Sequence, residues 1–284
     1  MKAVILAAGY GTRLLNTSID TPEEDYIRRT PKPLLEISGR PLINHLLDKL
    51  TGVNVDEVRI VSNNYYMEQF DNWYNHNNNN YPFGINMLYN GSTIYGRNKG
   101  AVVDMCSALG LRPSKAASVY FKMDNVSKLD EFNDDCIVLL GDRWLSNDLN
   151  LEDFVELMEK NDTCVIGVYD TGDLKIMEGK SQLRFDSQGK VVMFEEKSPN
   201  PTETFTCPGP YILKKEDYAL IKNFLEEEAA KGKRPDAPGY FIQYLFGREE
   251  PLYAIEIKSE PFDFGTRDTW LEAKRIIESS NTTS

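Results

Sequence analysis

The chain has 284 residues, 41% of them hydrophobic, with 32 lysines and arginines against 44 aspartates and glutamates, a net charge of −12. That length and apolar share are ample for one large α/β core. The acidic balance excludes non-specific attraction to nucleic-acid backbones or anionic lipid, so any phosphate-binding function needs a local basic pocket set against the global field.

The amino-terminal stretch Met1 to Gly9 carries an apolar run too short for a secretory core and ends in a glycine turn, so it reads as a buried strand, Ala3 to Ala7. No run of about 18 apolar residues follows, and no membrane span is expected. Leu42 to Leu50 has the three- and four-residue spacing of a helix, and Val58–Val61 and Ile85–Leu88 read as strands. The Asn-rich patch Asn75–Asn80 reads as a surface loop. Ala101–Leu109 reads as a helix, Cys136–Leu140 as a fully apolar strand, Leu151–Glu159 as a helix capped by Asn150, and Cys164–Val168 as a strand. This alternation predicts a Rossmann-like, doubly wound, mostly parallel sheet over the first two-thirds. After it come strands at Gln182–Phe185, Val191–Glu195 and Tyr211–Leu213, a helix over Asp217–Ala230, a strand at Leu252–Ile257 and a closing helix over Thr269–Ser279. They predict a small β-rich extension that makes the sheet mixed. With no Pro-, Gly- or Ser-rich linker, residues 1–284 read as one domain, about 1–170 for one substrate and about 171–284 for the other. The four cysteines (Cys106, Cys136, Cys164, Cys207) lie far apart without a CxxC pair and read as reduced core thiols of a cytoplasmic protein.

The first strand runs into Gly9-Tyr10-Gly11-Thr12-Arg13. Glycines after a parallel strand let backbone N–H groups approach phosphate oxygens. A dinucleotide fingerprint needs a third glycine where Leu14 stands, which disfavours a dehydrogenase, and the chain has no Walker A spacing. Arg13 presents a fork of donors suited to a pyrophosphate leaving group. Lys32 is held between Pro31 and Pro33, which stiffen its backbone. Asp142 ends a parallel strand at the sheet edge where such folds bind ligands, and reads either as a Mg²⁺ ligand or as a turn aspartate.

The two-part pattern Leu6-Ala7-Ala8-Gly9-Tyr10-Gly11-Thr12-Arg13-Leu14 and Pro31-Lys32-Pro33-Leu34 resembles the signature of the sugar-phosphate nucleotidyltransferases, which include glucose-1-phosphate thymidylyl- and uridylyltransferases. The resemblance implies a Mg²⁺-dependent enzyme that joins a nucleoside triphosphate, UTP or dTTP, to a sugar 1-phosphate and releases pyrophosphate. It implies catalytic Arg13, Lys32 and Asp142; metal ligands Asp142 and Asp263; a nucleotide site of Leu6, Ala8, Gly9, Gly11, Thr12, Arg13, Asn90 and Gly100; and an acceptor site of Glu196, Lys197 and Gly209. The partners are small molecules, with no nucleic acid and no membrane, and a homo-oligomer is among the open assembly states. The pattern departs from its relatives in a Leu15–Thr30 spacer longer by roughly nine residues, and at Arg143, Ser181 and Pro210. These departures keep two alternatives open: a CTP-dependent cytidylyltransferase acting on phosphocholine, with Tyr65, Tyr66, Trp144 and Tyr211 as an aromatic box, or on another phosphorylated small molecule, and a non-catalytic regulatory homologue.

Overall fold

The structure, a computed structural model, describes residues 1–12, 22–93, 99–123, 129–146, 148–248, 250–259, 261–264 and 266–281. In chain order the strands are β1 (Lys2–Leu6), β2 (Glu36–Ile37), β3 (Arg40–Pro41), β4 (Glu57–Ser62), β5 (Gly84–Tyr89), β6 (Cys136–Leu140), β7 (Cys164–Asp170), β8 (Gln182–Phe185), β9 (Val191–Glu195), β10 (Phe205–Thr206), β11 (Tyr211–Leu213) and β12 (Leu252–Glu256). The helices are α1 (Pro22–Arg29), α2 (Leu42–Leu50), α3 (Met67–Asn77), α4 (Ala101–Ala108), α5 (Lys115–Phe121), α6 (Leu151–Asn161), α7 (Tyr218–Ala230), α8 (Gly239–Gly247) and α9 (Arg267–Asn281).

An eight-stranded sheet runs in the order β10-β7-β11-β6-β1-β4-β5, with β12 also paired to β7. β6, β1, β4 and β5 are mutually parallel, and β12 is parallel to β7. The sheet is wound on both faces because its strands alternate. Val4 and Leu6 of β1 join the core against α4, α7 and α8, whereas Ala3 and Ile5 join the core against α2, α3 and α6. The mixed character does not come from an appended sheet. β11 is inserted antiparallel between β6 and β7, in the middle of the parallel array. β8 and β9 form a separate hairpin beside it. A short apolar strand such as Tyr211–Leu213 carries no mark of its direction, so only its tertiary pairing decides where it inserts.

Two loop expectations change. Asn75–Asn77 finish α3, where the Asn77 amide bonds Trp73 O and Asn44, so only the later part of the Asn-rich patch is a turn. The described part of the long spacer is α1, and its Ile27 is 1% exposed. Ile27 enters a third apolar cluster with Leu35, Ile37, Trp144, Phe264, Trp270 and Ile277. This segment packs against α9, and Glu24 pairs with Arg267 at 3.2 Å.

Gly167 of β7 passes so close to the turn before β11 that a Cβ there would lie 2.6 Å from Gly209 O. Its N–H donates to Pro210 O at 2.8 Å. Gly167→Ala is expected to lower unfolding free energy by about 1–3 kcal/mol through overpacking. The check is the midpoint of a urea unfolding curve, which should fall with an unchanged slope.

Candidate active site

The site lies along the carboxyl ends of the parallel strands. The chain leaves β1 through Ala7–Thr12, a loop fixed from three sides. Ala7 N donates to Val61 O at 2.8 Å, Asn63 Nδ2 donates to Ala8 O at 3.0 Å, and the buried Tyr10 hydroxyl donates to Ser92 Oγ at 2.7 Å. Gly11 sits at φ +62°, a conformation that L residues rarely adopt. Leu6, Ala8, Gly9, Gly11 and Thr12 line one cavity of about 390 Å³ together with Lys32, Gly100, Asp104, Asp142 and Arg143. Arg13 lies outside the described residues.

Lys32 opens a 3₁₀ turn, Lys32–Leu34, whose entry is set by the extended backbone of Pro31. Its side chain is buried, and Nζ lies 3.4 Å from Asp142 Oδ2 and 3.5 Å from Asp263 Oδ1. Arg143 Nη2 approaches the other oxygen of Asp263 at 3.6 Å. The backbone makes this juxtaposition possible: Arg143 and Asp263 form an isolated antiparallel bridge, and Trp144 N donates to Phe262 O at 3.1 Å. Trp144 and Phe264 then lock the two segments into the third apolar cluster. Two carboxylates distant in sequence are thereby aimed at one point. Among the described residues no group of three or more metal-ligating side chains forms.

At the far end of the same cavity Asn90 and Gly100 separate in role. Gly100 lines the cavity, at φ +110°, where a Cβ would meet Pro235 O. Asn90 does not line it. This residue is 2% exposed, its Nδ2 donates to Asp104 Oδ1 at 2.9 Å, and its Oδ1 accepts from Ser92 N at 3.0 Å. The Asn90 amide, expected in the nucleotide site, is engaged within the fold, and the group presented to the cavity is Asp104. Burial pushes the Asp104 carboxyl up to about 7, although Asn90 and Lys99 pull it down. Sequence reasoning passed over Asp104, yet the signal was there: it is the lone charge in the apolar run Ala101–Ala108, one turn after Gly100.

A second cavity of about 820 Å³ adjoins the first, and Leu140, Arg143, Ala237 and Pro238 line both. Asp142 faces the first and Asp263 the second. Glu196 and Lys197 line the second cavity with Lys180, Ser181, Thr206 and Tyr211. Gly209 is not on its surface; at φ +82° it shapes the turn between Pro208 and Tyr211, which do line it. Ser181, a departure in sequence, ties the cavity wall together: its Oγ accepts from Cys207 N at 2.8 Å and bonds Thr206 Oγ1 at 3.2 Å. Lys197, at φ +51°, donates from Nζ to both oxygens of Asp236 at 2.7 and 2.8 Å. Burial alone lowers the Lys197 ammonium, but the Asp236 contacts outweigh it and raise it. Burial pushes the Glu196 carboxyl up to about 7, with Lys197 pulling it down and Asp236 pushing it up. Gly239 packs directly against Glu196, and a Cβ there would displace the Glu196 carboxylate from its present position. Pro235–Gly239 thus touches Gly100 at one end and Glu196 at the other, and Asp236 within it escaped the sequence analysis. The aromatic residues do not form one box. Tyr65 and Tyr66 cluster with Tyr10, Trp144 meets His45, and of the four only Tyr211 lines the second cavity.

The family model described as nucleotidyl transferase matches residues 2–280. The chain belongs to the nucleotidyl transferase family. It is 25% identical over 282 residues to a UTP--glucose-1-phosphate uridylyltransferase of Synechocystis sp., covering 98% of this chain and 63% of that protein. A GlmU bifunctional protein of Methanocaldococcus jannaschii is 23% identical over 99% of this chain and 56% of its own length. The chain thus spans less than two-thirds of these curated relatives. Among solved structures, a UDP-glucose pyrophosphorylase complexed with UDP-glucose superimposes with a TM-score of 0.68 at 17% identity, covering 98% of each chain. A putative glucose-1-phosphate thymidylyltransferase from Bacillus anthracis gives 0.67 at 19%, covering 98% of this chain and 95% of that one. These likenesses show the fold, a mixed α/β architecture on a mainly parallel sheet. Among the described residues no helix is long and apolar enough to cross a membrane.

Glu196 gives a pH prediction. Its folded value near 7 lies above the ordinary 4.5, so between those values the folded protein holds more protons than the unfolded chain. The stability it contributes is present below 4.5 and is lost as pH rises toward 7. Glu196→Gln should therefore gain melting temperature relative to the parent as pH is raised through this window. Parallel melting profiles would show that Glu196 titrates normally.

Proposed function

We propose that the protein transfers a nucleoside monophosphate from a nucleoside triphosphate to a sugar 1-phosphate, giving a nucleotide sugar and pyrophosphate. The observation that carries this reading is the pair of cavities meeting at one wall, with Asp142 on one side, Asp263 on the other and Lys32 between them. A glycine loop with exposed backbone suits the triphosphate. The second cavity offers carboxylate, hydroxyl and ammonium groups around a volume fit for a phosphorylated polyol. The dispersal of the aromatic residues weighs against phosphocholine as acceptor. Likeness to uridylyl- and thymidylyltransferases is the one ground for UTP or dTTP as donor, and the Asp104 carboxyl on the wall of the donor cavity opposes it.

In this reading an oxygen of the acceptor phosphate attacks the α-phosphorus. A new P–O bond forms as the bond to the β-phosphate oxygen breaks, and pyrophosphate leaves with the electron pair. The attacking phosphate is already anionic, so catalysis consists of positioning and charge neutralisation. Lys197 exchanges its Asp236 contacts for the acceptor phosphate, and Glu196 takes hydroxyl groups beside it. Arg143, on the shared wall, faces the charge that builds between the substrates. Lys32 offsets the phosphates, with Arg13 in the same role. Two carboxylates converging on one cation suit Mg²⁺, which favours one or two carboxylates with phosphate oxygens completing its shell. Bound by Asp142 and Asp263, Mg²⁺ would supply further charge neutralisation at the α-phosphate.

The test is pyrophosphate release with Mg²⁺, crossing UTP, dTTP, CTP, ATP and GTP against glucose 1-phosphate, other sugar 1-phosphates and phosphocholine. A sugar phosphate is the expected acceptor; release with phosphocholine alone would overturn that choice. Asp142→Asn and Lys197→Ala are each expected to reduce turnover at least about 100-fold with unchanged melting temperature, the scale seen when a preorganised charge is removed. Normal release by either variant would remove that residue from the machinery. Chelation with EDTA should abolish release and added Mg²⁺ should restore it; activity that survives chelation would contradict the metal assignment.

A further inference from the structure

The wall of the first cavity carries a carboxyl group that the transfer chemistry does not use. Asp104 is 6% exposed, lines that cavity, and stands one helical turn beyond Gly100 on α4. Among the described residues, the only hydrogen-bond partner of its carboxyl is Asn90 Nδ2, on Oδ1 at 2.9 Å. The second carboxyl oxygen is not sealed in the fold but opens on the cavity, where a donor of a bound ligand can reach it.

Sheet order says which part of a nucleotide reaches this point. Asp142 follows β6 and Asn90 follows β5, and the order β6-β1-β4-β5 separates them by three strand spacings, about 14 Å. The glycine loop after β1 and the cation Lys32 mark the phosphate end. The β5 end, three strands away and backed by the buried Tyr10, Ser92 and Asn90, is the end for the base.

We propose that Asp104 selects the base of the donor nucleotide by accepting a hydrogen bond from an exocyclic amine, so that the donor is an amine-bearing nucleotide (CTP, GTP or ATP) rather than UTP or dTTP. An ionised carboxyl accepts from an exocyclic amine, such as the 4-amine of cytosine, whereas it meets the 4-carbonyl that stands in that place in uracil or thymine with like partial charge. The same surroundings disfavour rescue by rearrangement: Asp104 is held by Asn90, and Gly100 is clamped against Pro235. The inference rests on the nucleotidyl-transfer reading but is tested by binding rather than turnover.

The experiment is titration calorimetry of the folded protein with CTP, GTP, ATP, UTP and dTTP in Mg²⁺ at a pH well above 7, where the Asp104 carboxyl is ionised. The best amine-bearing nucleotide is expected to bind about 10- to 100-fold tighter than UTP and dTTP, the scale of one hydrogen bond to a charged group. Asp104→Asn, which keeps shape but adds a donor, should bring that ratio close to one by strengthening UTP. Asp104→Ala should bring it close to one by weakening the amine-bearing nucleotide. A purely structural role for Asp104 would weaken all five nucleotides alike and leave the ratio in place, which overturns the proposal. So does tighter binding of UTP or dTTP by the parent protein. Failure of every nucleotide to bind would overturn the nucleotidyl-transfer reading itself and this inference with it.

Discussion

The arrangement of the site depends on one buried ammonium. Asp142 and Asp263 belong to segments far apart in the chain, and two carboxylates repel when brought to a common point. Lys32 Nζ, 3.4 and 3.5 Å from them, offsets that repulsion, and Arg143 adds a second cation on the outer oxygen of Asp263. An ion cluster of this kind is weak support for folding by itself, because desolvation opposes it. The support comes from beneath, where Trp144 and Phe264 are fixed in an apolar cluster with Trp270 and Ile277 of the last helix. Packing sets the distance, and charge balance makes the distance tolerable.

That cluster also gives the long spacer a role. Its described helix places Ile27 among the same aromatic residues and Glu24 against Arg267, so this part of the spacer buttresses the segment that carries Asp263. The two halves of the site are joined again on the other side. Pro235–Gly239 crosses from Gly100 to Glu196, and its Asp236 holds Lys197 through both carboxylate oxygens. An acceptor phosphate must compete with Asp236 for Lys197. The ion pair keeps the lysine oriented while it waits, as a positioned charge needs to be.

Charge is distributed with the same economy. The protein is acidic overall, yet the residues on or beside the shared wall include Lys32, Arg143 and Lys197, each matched to a carboxylate. Binding a polyanion then exchanges existing ion pairs for new ones and does not force bare cations into a buried wall. Burial raises Glu196 and Asp104 to near 7, so both can hold or release a proton in the neutral range where hydroxyl and amine groups of ligands meet them.

Much of the parallel array was legible in the sequence, because continuous apolar runs mark strands buried on both faces and amphipathic helices mark their own buried face. Cys136–Leu140, Leu42–Leu50 and the Asn150 cap appear where the pattern put them, and the glycine loop and Lys32 declared themselves through spacing and proline flanks. Four things were decided only by tertiary structure: the antiparallel insertion of Tyr211–Leu213 between β6 and β7, the capture of Asn90 by Asp104, the gripping of Lys197 by Asp236, and the meeting of Asp142 with Asp263. Each is a contact between residues whose local sequence is compatible with several partners. Local sequence determines backbone preference and which face is buried; which polar group meets which is settled by packing across the whole core.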